Sequence, residues 1–170
     1  MSNTIGVAVL LIAGAACVTD IRSRRIPNLL TFGAALAAIV FHTLASGLDG
    51  LGAAAFGWMV GTALFLPIFL LGGMGAGDVK LIAALGAWLG PADALSVGIL
   101  SFIAGGVLGI VVALFSGYLS TAFRNIRGMV GYWVLAGVRP VPGMTLEQSD
   151  APRLAYALPI LAGTVMTLWI

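Results

Sequence analysis

Five stretches of this chain run for 15 to 24 residues without a single Lys, Arg, Asp or Glu. They are Ile5 to Thr19, Leu29 to Leu48, Leu51 to Leu71, Ala94 to Gly117 and Leu154 to Ile170. A helix rises about 1.5 Å per residue, so roughly 20 apolar residues cross a hydrocarbon core of about 30 Å. Inside lipid every backbone N–H and C=O must find its partner within the element, which leaves helices or a closed barrel. The period-two polarity of barrel strands is missing, and each stretch is expected to be a helix. A sixth, Leu81 to Leu89, spans only if it recruits residues from Asp78 onward or lies in a region lined by protein.

Composition agrees. Of 170 residues, 61% are hydrophobic and 8% charged, where a soluble domain carries roughly a quarter charged. That leaves too little polar surface for a soluble enzyme, a disordered regulator or a disulfide-stapled module. One Cys and one His cannot assemble a zinc site, so no metal and no cofactor are expected. A net charge of +2 does not point to nucleic acid.

Charge placement sets the expected topology. No Lys or Arg precedes the first stretch, whereas Arg22, Arg24 and Arg25 follow it. That order is the reverse of a cleavable signal, so the first span is expected to be retained with its N-terminus outside. With six spans, all eight basic residues (Arg22, Arg24, Arg25, Lys80, Arg124, Arg127, Arg139 and Arg153) fall on the cytoplasmic side. The outer turns hold only Asp49 and Asp93. The positive-inside rule therefore predicts an all-α, polytopic membrane protein with six transmembrane helices, both termini outside and a short fourth helix. Residues 1–170 are expected to form a single domain. Between Gly128 and Asp150, the apolar run Met129 to Val138 is too short to span and is expected at the cytoplasmic interface.

Asp20 and Asp78 are the informative residues. Asp20 opens Asp20-Ile21-Arg22-Ser23-Arg24-Arg25-Ile26-Pro27-Asn28 at the end of the first stretch, and Asp78 ends Gly72-Gly73-Met74-Gly75-Ala76-Gly77-Asp78. One outward and one inward crossing lie between them, which returns both carboxylates to the cytoplasmic face at similar depth. Two carboxylates at one site share a proton, because two like charges a few ångströms apart do not both ionise cheaply. The ionised member can activate water while the protonated one donates to the carbonyl oxygen or the leaving amine. Such a pair hydrolyses a peptide bond without metal, cysteine or activated serine. The bland alternative makes Asp20 a loop cap or a partner of Arg22 or Arg24, and Asp78 a cap of the fourth helix. Glycines beside Asp78 would let the backbone turn sharply and lie close to an extended peptide, or serve as a flexible turn. Gly57-x3-Gly61 and Gly105-x3-Gly109 read instead as close helix contacts.

These residues carry a resemblance. Gly75-Ala76-Gly77-Asp78-Val79-Lys80-Leu81, continuing to Gly86-Ala87-Trp88-Leu89-Gly90, resembles the second motif of type IV prepilin peptidases, the GxGD aspartyl proteases. Asp20 through Pro27-Asn28 is similar to their first motif, an Asp followed by an aliphatic-Pro pair. The resemblance implies a bacterial inner-membrane endopeptidase that removes the leader of prepilins or pilin-like proteins at the cytoplasmic face. It makes Asp20 and Asp78 the catalytic pair, with Gly75, Gly77, Lys80 and Pro27 as supporting motif residues. Its partners are then the prepilin, the lipid bilayer and pilus assembly machinery. The size points to the short, CpaA/TadV-like branch serving tight-adherence (Flp) pili. Larger members add a cytoplasmic region with paired CxxC motifs and N-methylate the new pilin terminus. With one Cys and no long cytoplasmic region, this chain is expected to have no methyltransferase or zinc domain and to act as peptidase only. Archaeal preflagellin peptidases share the aspartate motif. Outside that family the alternatives are a small proton-coupled transporter subunit, which places carboxylates beside broken helices, and a non-enzymatic pilus assembly scaffold.

Roles follow from helix polarity. Asp78 begins a helix, whose positive end favours a carboxylate, and Asp20 ends one, which disfavours ionisation; Arg22, Arg24 and Arg25 act in the opposite sense on Asp20. His42 is expected to bond a neighbouring helix, and Cys17 to fill space one turn before Asp20. The three arginines set topology and suit anionic headgroups. Glu147 and Asp150 are expected in a solvated loop, while Tyr156 and Pro159 begin the last span, within reach of the site.

Overall fold

The computed structural model describes residues 3–146 and 154–170 and is all-helical among them. Six helices follow in order: α1 (Asn3–Ser23), α2 (Asn28–Leu70), α3 (Ala76–Leu89), α4 (Pro91–Phe115), α5 (Leu119–Ala136) and α6 (Ala157–Trp169). Three of them, α1, α2 and α4, are long and apolar enough to cross a membrane.

The 43 residues of α2 are two arms rather than one rod. Gly47 leaves the helix at φ 61° and ψ −136°, a region essentially restricted to glycine. An added Cβ on Gly50 would lie 2.0 Å from the His42 carbonyl oxygen, so the chain doubles back on itself there. The first arm runs alongside α3 in the same direction, with Asn28 bonded to Lys80 and Ala34 to Trp88. The second arm runs against it, Gly57 facing Gly86 and Gly61 facing Ile82. The two stretches expected at Leu29 to Leu48 and Leu51 to Leu71 thus become the two arms of this hairpin.

At 14 residues α3 is only about 21 Å long, short for a span, and it occupies the centre of the molecule. Every residue from Asp78 to Trp88 is buried except Lys80, which explains a sequence apolar on nearly all sides. Lipid offers little hydrophobic driving force between helices, so close packing and interhelical hydrogen bonds must hold them. Here the backbones approach so closely that a Cβ on Gly57 would sit 2.0 Å from the Gly86 oxygen, and one on Gly86 would sit 2.2 Å from the Gly57 oxygen. Gly57-x3-Gly61 is therefore a helix-packing stripe, as its spacing suggested. Trp88 Nε1 donates to the Ala34 carbonyl at 2.9 Å, and His42 Nε2 lies 3.0 Å from the Trp88 carbonyl. A carbonyl only accepts, so Nε2 carries the proton. Such bonds contribute about 0.6 kcal/mol each in a membrane interior, and His42 thereby has the interhelical role expected of it.

Two elements depart from the sequence expectation. The last helix has 13 residues, beginning at Ala157 rather than Leu154. It lodges among α1, α3 and α4, with Gly163 pressed against Ser101. The apolar run at 129–138 is, as far as Ala136, the end of a longer helix, α5, which begins at Leu119 and carries Arg124 and Arg127 within it. Its Phe123, Ile126, Val130 and Val134 share one exposed face, a spacing of i, i+3, i+7 and i+11 that suits the membrane interface. Glu147 and Asp150 lie outside the described residues.

Candidate active site

α1 ends because Arg24 turns into the left-handed region, φ 54°, with its N–H on the Asp20 carbonyl at 2.8 Å. The chain then passes Ile26 to Pro27, whose φ of −61° and ψ of 134° start α2. Asp20 is left in the last turn of α1, buried, with 8% of its surface exposed. Asp78 is the third residue of α3 and is also 8% exposed.

An open groove of about 400 Å³ brings the two motifs together. Asp20, Pro27, Gly75, Gly77, Asp78 and Lys80 all line it, with Arg24, Arg25, Ile26, Asn28 and Ala76. The carboxylates are near enough for the charge of Asp20 to act on Asp78. All six site residues picked out in the sequence therefore meet at one place, although 58 positions separate the two aspartates.

Each carboxylate is held by a backbone amide. Asp78 Oδ2 accepts from Gly75 N–H at 3.2 Å, reaching back over the first turn of its own helix. Asp20 Oδ2 accepts from Ala157 N–H, also at 3.2 Å, and that amide is the first of α6. The polarity reasoning that set Asp78 at the start of a helix and Asp20 at the end of one is thus incomplete. Both carboxylates face helix N-termini, because α6 brings its own to Asp20, and helix polarity alone no longer separates their roles.

The two glycines have separate duties. A Cβ on Gly75 would stand 3.3 Å from Asp78 Oδ2, crowding the carboxylate that the Gly75 amide holds. A Cβ on Gly77 would stand 3.2 Å from Cβ of Ile26, a branched atom that cannot swing away. The glycine spacing therefore lets the Ile26-Pro27 loop lie against the start of α3. Lys80 completes the join: its Nζ donates to Asn28 Oδ1 at 2.9 Å and stands 5.3 Å from the centre of the Phe32 ring.

Around this centre Cys17 is buried and feels the charge of Asp20, in keeping with a packing role. Tyr156 feels the charge of Asp78. Its ring lies against Phe65 at 6.0 Å between centroids and over Gly105, where a Cβ would come within 2.7 Å of the phenol oxygen. Gly105 thus makes room for this side chain rather than for another helix backbone. Beyond Asp78, Leu146 N–H donates to the Gly72 carbonyl at 2.7 Å and Thr145 packs on Gly72, so the chain after α5 covers the glycine turn. Sequence reasoning missed the Ala157 amide, since a backbone donor leaves no residue-type signal. It also passed over Asn28, whose place beside Pro27 in the motif was the available cue. Among the described residues no three His, Cys, Asp or Glu side chains gather as metal ligands would.

The sequence profile of the type IV leader peptidase family matches residues 7–114 of this chain. The chain belongs to the type IV leader peptidase family. The matched span runs from α1 to the end of α4 and contains Asp20, Asp78 and the whole glycine turn. Comparison with curated proteins and with solved structures gives no match. Membership of the leader peptidase family makes the protein a protease, and its long apolar helices make it an integral membrane protein.

Proposed function

We propose that this leader peptidase is an aspartyl endopeptidase that cleaves the leader of a type IV prepilin or pilin-like protein with an Asp20/Asp78 dyad. The observation that carries the reading is the shared groove: two buried carboxylates from separate helices, each fixed by a backbone amide, open on one cavity lined by both motifs. Family membership favours it over a proton-coupled transporter or an assembly scaffold.

The chemistry needs one proton for two carboxylates. The ionised member removes a proton from water as that water attacks the scissile carbonyl, and the protonated member donates to the carbonyl oxygen. The tetrahedral intermediate then collapses, and a proton passes to the leaving amine. The amides of Gly75 and Ala157 fix one oxygen of each carboxylate, which orients the other toward the water. Gly75 keeps a side chain away from the Asp78 carboxylate, and Gly77 lets the Ile26-Pro27 loop of the first motif close against the second.

Charge placement supports six spans with the dyad at the cytoplasmic face of the bacterial inner membrane, where a leader would be presented. Processing of a co-expressed candidate prepilin tests the reading, wild type being compared with Asp20→Asn and Asp78→Asn at matched protein levels. Loss of processing by ~10²-fold or more in both variants is expected. Equal processing by all three would assign the activity to another protein.

A further inference from the structure

The bundle holds α5 less than any other helix. None of its residues is buried, and among the other helices it packs only against α4. It is also the most strongly amphipathic of the six. A helix of 18 residues with so little packing is marginal by itself. Local bonds fix its inward side: Asn125 Nδ2 donates to the Tyr118 hydroxyl at 3.0 Å, and Trp133 Nε1 donates to the Arg139 carbonyl at 2.9 Å. Its outward side carries the exposed stripe of Phe123, Ile126, Val130 and Val134, which needs a surface away from water.

Charge decides what that surface is. Between Asp93 and Glu147 the sequence holds no acidic residue and three arginines. Arg139 closes the end of α5, where its guanidinium donates to the Ala136 carbonyl. Arg124 and Arg127 stand exposed on the helix itself. Arg127 lies four positions after Phe123 and three before Val130, which sets it on the border of the apolar stripe, and Arg124 lies one turn earlier on the same flank. A second copy of the same face would bring arginine against arginine, with no carboxylate on α5 to answer them. Apolar side chains on one face with cations along their edge suit a helix that lies in the plane of a lipid surface. The long arginine stems then cover apolar surface while their heads reach the phosphates.

We propose that α5 lies in the headgroup layer of the bilayer and that Arg124 and Arg127 make it a docking surface for anionic phospholipid. The stripe enters the acyl boundary, and the two guanidiniums meet headgroups whose net negative charge favours them over zwitterionic ones. The seat reaches toward the carboxylates through the chain that follows. After α5 that chain returns to the glycine turn, where Leu146 bonds the Gly72 carbonyl and Thr145 packs on Gly72. The leaflet therefore holds one end of the cover over that turn.

The test attaches a fluorophore at Val130→Cys in a Cys17→Ala background, with the full chain reconstituted in vesicles of equal parts phosphatidylcholine and phosphatidylglycerol. One lipid or the other carries brominated chains, which quench a fluorophore they touch. The control probe is Val107→Cys, on the exposed and uncharged side of α4. At position 130 both lipids are expected to quench, with phosphatidylglycerol preferred roughly fivefold. The preference is expected to vanish in Arg124→Gln/Arg127→Gln and to persist in Arg124→Lys/Arg127→Lys. At position 107 quenching without preference is expected in every variant, which also reports an intact fold. Equal quenching by the two lipids at position 130 would overturn the anionic surface. Absence of quenching by either would mean that protein rather than lipid covers the face, and a preference that survives the glutamine pair would remove the two arginines as its cause.

Discussion

Asp20 Oδ2 accepts the amide hydrogen of Ala157, joining the last turn of α1 to the first residue of α6 across 137 positions of sequence. The bond is buried, and it ties a carboxylate of the first motif to a helix outside the span that the family profile matches. Asp20 therefore has a structural duty besides its proposed chemistry, and the two can be separated.

Asp20→Asn keeps an oxygen that can accept from Ala157, whereas Asp20→Ala leaves a buried N–H without a partner, at a cost of about 1–3 kcal/mol. Both variants are expected to lose processing. Only Asp20→Ala is expected to lower the melting temperature in detergent markedly. Equal melting temperatures would show that the bond contributes nothing to stability.

Gly77→Ala pushes a methyl group against Ile26, and overpacking of this kind costs about 1–3 kcal/mol. The expected result is impaired processing that recovers when Ile26→Ala is added. A double variant no better than Gly77→Ala would remove the Ile26 contact as the reason for this glycine.

Lys80 and Asn28 link the motifs through an exposed bond of 2.9 Å. Their alanine substitutions are expected to be non-additive in a double-mutant cycle on processing rate, with a coupling of about 1 kcal/mol. Full additivity would mean that the bond does not hold the two loops in register.

The helix contacts predict a sharp contrast among glycines. Gly57→Leu and Gly86→Leu drive a side chain into a facing backbone carbonyl, and the protein is expected not to accumulate in the membrane. At Gly52 an added Cβ meets nothing within 4 Å, so Gly52→Ala should leave accumulation unchanged or improve it, alanine being favoured in a helix by about 1 kcal/mol.

Gly47→Ala tests the hairpin. No side chain adopts φ 61° with ψ −136° at low cost, and a penalty of about 1–3 kcal/mol is expected, read as a lower melting temperature. An unchanged value would mean that the arms of α2 meet differently at this point.

Much of this was legible from residue types alone. Apolar runs without charge mark helices because lipid offers backbone groups no other partner, and Leu81 to Leu89 is visibly too short to stand alone. The motifs around Asp20 and Asp78 were legible because their chemistry depends on residue type and spacing. What was not legible is long-range or carried by the backbone. Apolar spacing does not tell a lipid-facing helix from a central one, so only the fold shows α3 buried on nearly all sides and residues 129–136 to be the end of an amphipathic helix. The glycines at 75 and 77 were visible, but their separate reasons depend on where Asp78 Oδ2 and Ile26 come to rest.

The amino-acid sequence by itself determined that the chain is helical and membrane-bound, and it singled out the two carboxylates proposed as the dyad and the motif-like residues around each. These follow from local hydrophobicity and local chemistry, and they survive any arrangement of the helices. Only the tertiary structure decided that α6 brings its amide to Asp20 and that Lys80 meets Asn28. Each depends on how helices distant in sequence come to pack, and that is set by close backbone approach rather than by the identity of any one residue.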